Sequence, residues 1–542
     1  MIELFNYIDI IVIISYIIII LSLGFYYSQK NTESFDNYFL AGRNLPWYIV
    51  GISIFATNIS SEHFIGLAGA GSMRGLAVGQ FELMAIFTLI FLGWFLVPIY
   101  FKSNIVTVPE FLGKVFDSRI RKFFAIYSIL IYLFTKVLVS LFAAGILFYD
   151  IFGINIYTSS ILIVLITGLY SVTGGANAVM RTQSVQGLVM IIGGVILSIA
   201  AYIAGGGFST LYQKLPSDFF NMFKSISDPD YPCTGIIFGA PILAFWYWCT
   251  DQYIVQRVLA ANSIEHARRG TLFAATLKIL PIFILVLPGL FAVSLIPHAQ
   301  GDEAYSALII SGIVPNGFRG VVVAGLLAAI MSSLAGTFNS ISTLYTNDYF
   351  KLKYPESSER KLVLVGRLAT TAAVVIAILT VPLVKIISSQ IYLFLQSVQS
   401  FVSPPITAVF LLGLFYKKMD STAAIGALIS GETIGVGRLI LELLHNNGVT
   451  LHPFFLWILS VNFLHFAIFL FIFTISVILL MNHKKKEIYN EIKDVSLNEI
   501  NNIINDWRLS LNFTFKEKRL NINFVFSLII LLLITGVWIL WY

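Results

Sequence analysis

Charge is what this chain of 542 residues has least of, with Asp, Glu, Lys and Arg together at 11%. Soluble domains carry roughly 25%, and with 58% hydrophobic residues the chain cannot hide its apolar surface inside a water-soluble core. Cysteine is almost as scarce. Cys233 and Cys249 lie in one predicted helix, roughly 24 Å apart if it is continuous, which is beyond disulfide reach. No metal-binding or redox motif is present, and no nucleophile and base can be named at matched depth, so an enzyme is not expected.

What the chain has is long hydrophobic runs. Mean hydropathy is +0.86, and apolar windows of about 20 residues, enough to cross a bilayer, recur along nearly all of it. The expected spans are 9–29, 45–70, 77–101, 123–149, 156–173, 183–205, 234–256, 270–296, 319–347, 362–383, 387–415, 421–443, 453–481 and 522–541. The fold class is therefore an all-α polytopic membrane protein of about fourteen transmembrane helices, with no room for a large soluble domain.

The net charge of +6 could suggest nucleic acid, so the placement of the cations has to decide. Lys102 to Lys122, Arg257 to Arg269, Lys351 to Lys361, Lys417–Lys418 and the 484–519 region fall on one side of the span count. That side carries roughly 25 Lys/Arg against about 5 opposite, which makes it the cytoplasm. The excess is topological, no nucleic-acid partner is expected, and both termini are expected to face outward in a cell membrane. The first span lacks a basic leader and a cleavage site and reads as a retained helix. The 206–233 loop is expected to fold over the outer mouth, and 482–521 to be a cytoplasmic loop with a short amphipathic helix.

Four places at membrane depth could carry chemistry. In the first, Ala56-Thr57-Asn58-Ile59-Ser60-Ser61-Glu62-His63-Phe64 interrupts an otherwise apolar span. A charged residue at a helix centre costs about 2.5–3.5 kcal/mol on insertion scales, so such a run marks a solute or ion path. Its Ser and Asn residues suggest an unwound helix, whose freed carbonyls survive only where they line a cavity. The alternative is a kinked helix whose polar groups satisfy only their neighbours.

In the second, Ala329, Ser332 and Ser333 are spaced i, i+3, i+4 and could offer a carbonyl and two hydroxyls to one point. Such hard oxygen donors suit sodium, although Ser333, Gly336 and Ser340 could equally form a small-residue packing seam. In the third, Gly239-Ala240-Pro241 is expected to interrupt a helix ahead of Trp246-Tyr247-Trp248, whose faces suit stacking on a ring-shaped solute. An interfacial aromatic belt is the alternative, and Asp251 reads as a structural anion. In the fourth, Glu82, Lys278 and Gln396 supply the donors and acceptors a sugar-like solute needs, unless Glu82 and Lys278 merely pair. Lys136, Arg367 and Arg438 are expected to snorkel from span ends.

The interrupted spans 45–70 and 234–256 each open a series of five, 45–205 and 234–418 with its trailing loop. This is the pattern of an inverted repeat, because an odd number of crossings reverses the second set, and the site lies where the two broken helices meet. The flanking parts are 1–44, two peripheral helices within 419–481, and 522–542.

At these residues the chain resembles the sodium:solute symporter family, closest to its sodium/glucose cotransporters and the bacterial sodium/galactose transporter. The likeness rests on Tyr38-Phe39-Leu40-Ala41-Gly42-Arg43, Asn58 through Gly66, Tyr247-Trp248 with Asp251-Gln252 and Gln256-Arg257, Ser332-Ser333-Leu334 with Phe338-Asn339-Ser340, and Leu412 through Lys418. The resemblance implies a leucine-transporter-like five-plus-five core. It implies co-transported sodium on the carbonyls of Ala56, Ile59 and Ala329 and the hydroxyls of Ser332 and Ser333. It implies a sugar site on Asn58, His63, Glu82, Tyr247, Trp248, Lys278 and Gln396, with Tyr247 as inner gate and Leu67, Phe81 and Tyr392 as outer gate. The chain departs from sugar-transporting relatives at Ala244, where Asn or Thr is frequent, and at Ala85, where the galactose transporter has Ser. Gln183, Ala335 and Gly336 stand where some relatives build a second sodium site, so one sodium per cycle is expected. The implied activity is sodium/monosaccharide symport, with myo-inositol or a monocarboxylate as other solutes and a non-transporting, sodium-conducting sugar sensor as the alternative class.

Overall fold

The computed structural model describes residues 5–29, 34–382, 391–483, 490, 492, 494, 496, 498–499, 501–502 and 521–542. The expected start at 1–4, the parts of the expected spans 362–383 and 387–415 that fall within 383–390, and most of the 482–521 loop lie outside them. Among the described residues no strand forms beyond isolated bridges such as Leu45 with Ala261, and twelve helical runs are long and apolar enough to cross a membrane.

The fourteen expected spans map onto these twelve because neighbouring spans merge. Ser61–Lys102 joins the second half of the 45–70 segment to the next span, while its first half, Trp47–Asn58, stands as a separate helix. Ile156–Ala204 joins 156–173 to 183–205 through a sharp corner at Gly175, at φ 54° and ψ −152°. That backbone region is open essentially to glycine alone, and a Cβ there would lie 2.4 Å from the carbonyl oxygen of Tyr38. The expected span 453–481 is corrected: it divides into Pro453–Ser460, in which no residue is buried, and Phe463–Asn482. Pro453 and the non-helical Val461 and Asn462 account for the division, since the chain must turn before the second helix starts under its Asn462 cap.

Burial separates the core from its periphery. Phe318–Lys353 is 94% buried in its most apolar window, against 22% for Tyr7–Ser28 and 28% for Ile522–Leu540. Phe318–Tyr345 packs along Ile156–Ala204 and against Trp47–Asn58, so it forms one wall of the first broken helix. Outward-facing Ile and Leu on the peripheral helices are ordinary for side chains in contact with lipid.

Both interrupted helices are present, one of them displaced from expectation. Trp47–Asn58 ends where Ile59 (ψ 117°) and Ser60 (φ −133°, ψ −172°) run extended, and the helix resumes at Ser61. In the second, Gly239 keeps helical angles and Pro241 sits in the first turn of Ala240–Phe245, where its missing N–H costs nothing. The break falls instead at Asp251 (ψ 123°), whose carboxylate accepts from the N–H of Tyr253 and caps Gln252–Leu259. The turn before it, Trp246–Thr250, is wound as a π-helix, a local widening common at functional sites.

The segment after Ala204 packs back onto Arg74 and onto the C-terminal helix. Arg74 forks onto both carboxylate oxygens of Asp228 at 2.7 and 2.8 Å and reaches Asp230 at 2.9 Å. The N–H of Met222 donates to the carbonyl of Trp541 at 3.0 Å, tying the loop to the C-terminal helix.

Candidate functional site

The break at Ile59–Ser60 opens one wall of an internal cavity. Asn58, Glu62, His63, Glu82, Tyr247, Trp248, Tyr392 and Gln396 line it, with Phe81. Of the residues expected to touch solute, Lys278 alone stands just behind the lining, where it donates to Asn58 Oδ1 at 2.7 Å and to Glu82 Oε2. Glu82 thus pairs with Lys278 and also faces the cavity. Of the expected gate residues, Phe81 and Tyr392 both line the cavity, with ring centroids 6.1 Å apart. Leu67 is fully buried on Ser61–Arg74 and does not reach the cavity. Beside it the packing is close: a Cβ on Gly66 would lie 2.6 Å from Cβ of Tyr392.

A chain of hydrogen bonds runs through the cavity from one gate to the other. Tyr392 Oη donates to Glu82 Oε1 at 3.3 Å, Lys278 links Glu82 to Asn58, and Asn58 Nδ2 donates to Tyr247 Oη at 3.1 Å. His63 stands 4.0 Å from Glu82 and edge-on to Tyr392. Five helical segments contribute to this chain; pairing of Glu82 with Lys278 is among the expected readings, whereas the links through Asn58 to Tyr247 and through Tyr392 to Glu82 appear only in the folded chain.

Four polar lining residues were not among the expected solute or sodium ligands: Glu62, Lys136, Tyr253 and Gln399. Lys136 does not snorkel. Its ammonium sits 2.6 Å from Asp251 Oδ2 and 3.6 Å from the centroid of the Tyr253 ring, and Tyr132 Oη donates to the same carboxylate. A buried cation needs a partner, and the Asp251 break supplies it across the bundle. Glu62 accepts from Ser140 Oγ at 3.1 Å. Glu62 was visible within the polar run of the first break, whereas Gln399, one turn beyond Gln396, had only that spacing as a signal.

Next to the cavity, three of the five oxygen donors expected for sodium converge. Ser332 Oγ lies 2.7 Å from the carbonyl oxygen of Ala56 and 2.9 Å from that of Ala329. Ser333 Oγ instead lies 2.8 Å from Tyr253 Oη and borders the cavity, and Tyr253 also donates to the Thr57 carbonyl at 2.5 Å. Ile59 occupies the extended break itself. Gln183 is fully engaged, accepting from Ser53 Oγ at 2.7 Å and donating to the Ser332 carbonyl at 2.8 Å. A Cβ on Gly336 would lie 2.7 Å from Nη2 of Arg257.

Comparison with known proteins agrees with this geometry. Residues 38–431 match the sodium:solute symporter family. The chain is 36% identical to sodium/glucose cotransporter 1 of Ovis aries over 519 residues, covering 88% of this chain and 78% of the relative. It is 37% identical to sodium/myo-inositol cotransporter 2 of Sus scrofa over 475 residues, covering 81% and 70%. In fold it is similar to a sodium-coupled sialic acid symporter in a substrate-bound, outward-open state, with a TM-score of 0.75 at 22% identity over 90% of this chain and 99% of that one. It is also similar to Mhp1, a nucleobase-cation-symport-1 transporter, with a TM-score of 0.51 at 14% identity over 85% and 98%. These likenesses bear out the leucine-transporter-like fold.

Proposed function

From the premise that this chain belongs to the sodium:solute symporter family, a multi-pass sodium-coupled transporter rather than an enzyme, we propose that it imports a neutral monosaccharide with one sodium ion. The carrying observation is that one unwound segment borders both places: Ala56 meets Ser332 on one side of the break, while Asn58 and His63 face the cavity on the other. Ordering that segment around sodium would also set the solute ligands, and by linkage the solute would tighten sodium equally.

The charge balance supports a neutral solute. Lys278 pairs with Glu82 and Lys136 with Asp251, while Glu62 has only a serine hydroxyl. A carboxylate solute would therefore meet no uncommitted cation here, whereas hydroxyls find acceptors and donors at Asn58, His63, Glu82 and Gln396. The relatives named for glucose and for myo-inositol both take neutral polyols, which agrees with this reading. Tyr247 would stack on the ring with Trp248 behind it, and Phe81 and Tyr392 would cap it.

Sodium would take the oxygens of Ala56, Ile59, Ala329, Ser332 and Ser333. A single ion is supported by the committed hydrogen bonds of Gln183 and by the guanidinium of Arg257 beside Gly336. The two halves, 45–205 and 234–418, would rock about the bound pair, with the basic loops in the cytoplasm and both termini outside. A potential of 100 mV contributes about 2.3 kcal/mol per sodium moved inward, roughly fifty-fold in solute gradient. One ion therefore suffices for accumulation.

The test is purified protein in liposomes offered labelled hexoses, inositol and monocarboxylates under a sodium gradient, a proton gradient or none. Sodium-driven accumulation of a hexose or inositol is expected. A flat response under sodium, or currents without solute accumulation, would overturn the reading.

A further inference from the structure

The cavity lining carries a run of apolar side chains among its polar ones. Glu82 and Ala85 stand three residues apart on one face of Gln80–Phe91, so the wall changes from carboxylate to methyl within a single turn. Ala240, Leu243 and Ala244, at i, i+3 and i+4 of Ala240–Phe245, continue the apolar side, and Leu395 adjoins Gln396. Ala240–Phe245 packs between Gln80–Phe91 and Ile391–Phe415, which makes these residues one wall.

The side chains of Ala85, Ala240, Leu243, Ala244 and Leu395 offer no donor or acceptor to replace the water a hydroxyl would lose. Carbonyls within a helix point along the axis and are already bonded, and the Ala85 carbonyl also accepts from Thr88 Oγ1 at 2.9 Å. One turn on, the Tyr247 hydroxyl is held by Asn58. A hydroxyl against the alanines would be desolvated without compensation, whereas a C–H or a methyl would be at home.

We propose that the preferred solute is a deoxyhexose, a monosaccharide that presents a hydrogen or a methyl group where the common hexoses carry one hydroxyl. This rests on the monosaccharide reading above and refines it. Ala85 and Ala244 are the specificity-determining positions, acting by the absence of a polar partner.

The experiment uses the full-length chain in liposomes, with sodium-driven uptake of labelled glucose and galactose competed by their 2-, 3-, 4- and 6-deoxy analogues. One deoxy position is expected to compete at least as well as the parent sugar, and the others to weaken about tenfold or more, the loss expected for a hydrogen bond left unmade in the cavity. Ala85→Ser or Ala244→Ser should move preference at that one position back toward the hydroxylated sugar by about fivefold or more. Monodispersity and thermal midpoint serve as the folding control. If hexoses accumulate but every deoxy analogue is weaker than its parent, or neither serine variant shifts the tolerated position, this inference is overturned and the symport reading stands. If inositol alone accumulates under sodium, this inference is overturned and the symport reading stands; if neither a hexose nor inositol accumulates, the symport reading itself falls.

Discussion

Replacing Lys278 by Met isolates the energetics of the polar wall. The ammonium and its partner carboxylate are almost wholly buried, with side-chain exposures of 1% and 4%, and Lys278 also satisfies Asn58 Oδ1. Removing the cation leaves Glu82 with only the Tyr392 hydroxyl at 3.3 Å and His63 at 4.0 Å. Breaking a buried pair from one side costs about 3–5 kcal/mol, because the remaining charge keeps its desolvation penalty without its partner. Lys278→Met should therefore lower stability by about that amount in chemical unfolding in mixed micelles. The double variant Glu82→Gln/Lys278→Met should recover to within about 1–2 kcal/mol of the parent, since no uncompensated charge remains. Sugar uptake should be lost in both, while sodium binding in the double variant persists, the Ser332 cluster being untouched. A cost below about 1 kcal/mol for the single change, or no recovery in the double, would refute the claim that the pair is desolvated and coupled.

Ser332→Ala removes the hydroxyl joining the Ala56 and Ala329 carbonyls, so the sodium concentration for half-maximal uptake should rise about tenfold, roughly 1.4 kcal/mol. Ser333→Ala should shift it less because its hydroxyl is bonded to Tyr253, and unchanged sodium dependence in both would remove sodium from this site. Gly175→Ala forces a Cβ against the Tyr38 carbonyl at a backbone angle alanine resists, at a cost of about 1–3 kcal/mol, which should appear as a lowered thermal midpoint. At the outer loop, burial raises the pKa of Asp228, but the N–H groups of Tyr231 and Asp230 together with Arg74 outweigh it and hold it below the usual carboxylate range. Because the folded value lies below the unfolded one, the stabilisation is complete above about pH 4 and is lost only as pH falls through the folded value. Thiol labelling of Ala70→Cys, expressed relative to the same thiol in the unfolded chain at each pH so that the thiolate fraction cancels, should therefore be the same at pH 7.5 and pH 5, and should rise when Asp228→Asn is added.

Much of the site was legible because membrane depth penalises polarity locally. Asn58, Glu62, His63, Glu82 and Lys278 stand out from apolar neighbours without knowledge of any partner, and the serine spacing on one helix face needs only the helical period. The misplaced second break shows where this stops. Gly239 and Pro241 are strong interrupters by composition, yet in the first turn of a helix they cost little, whereas Asp251 ends one helix and starts the next through a cap. Lys136 was misjudged for a related reason. A lysine near a span end can snorkel or pair, and the choice depends on whether another segment brings an acid within reach.

The sequence by itself determined the membrane class, the approximate number and extent of the helices, and which residues are too polar to face lipid, because each follows from transfer free energy and helical periodicity along one segment. Only the tertiary structure decided which of those residues meet. The chain from Tyr392 through Glu82, Lys278 and Asn58 to Tyr247, the Lys136–Asp251 pair, and the meeting of Ser332 with Ala56 all join residues more than a hundred positions apart. The alanine wall likewise exists only because three helices pack side by side. Such contacts are set by how whole helices pack, and no local preference of the chain encodes them.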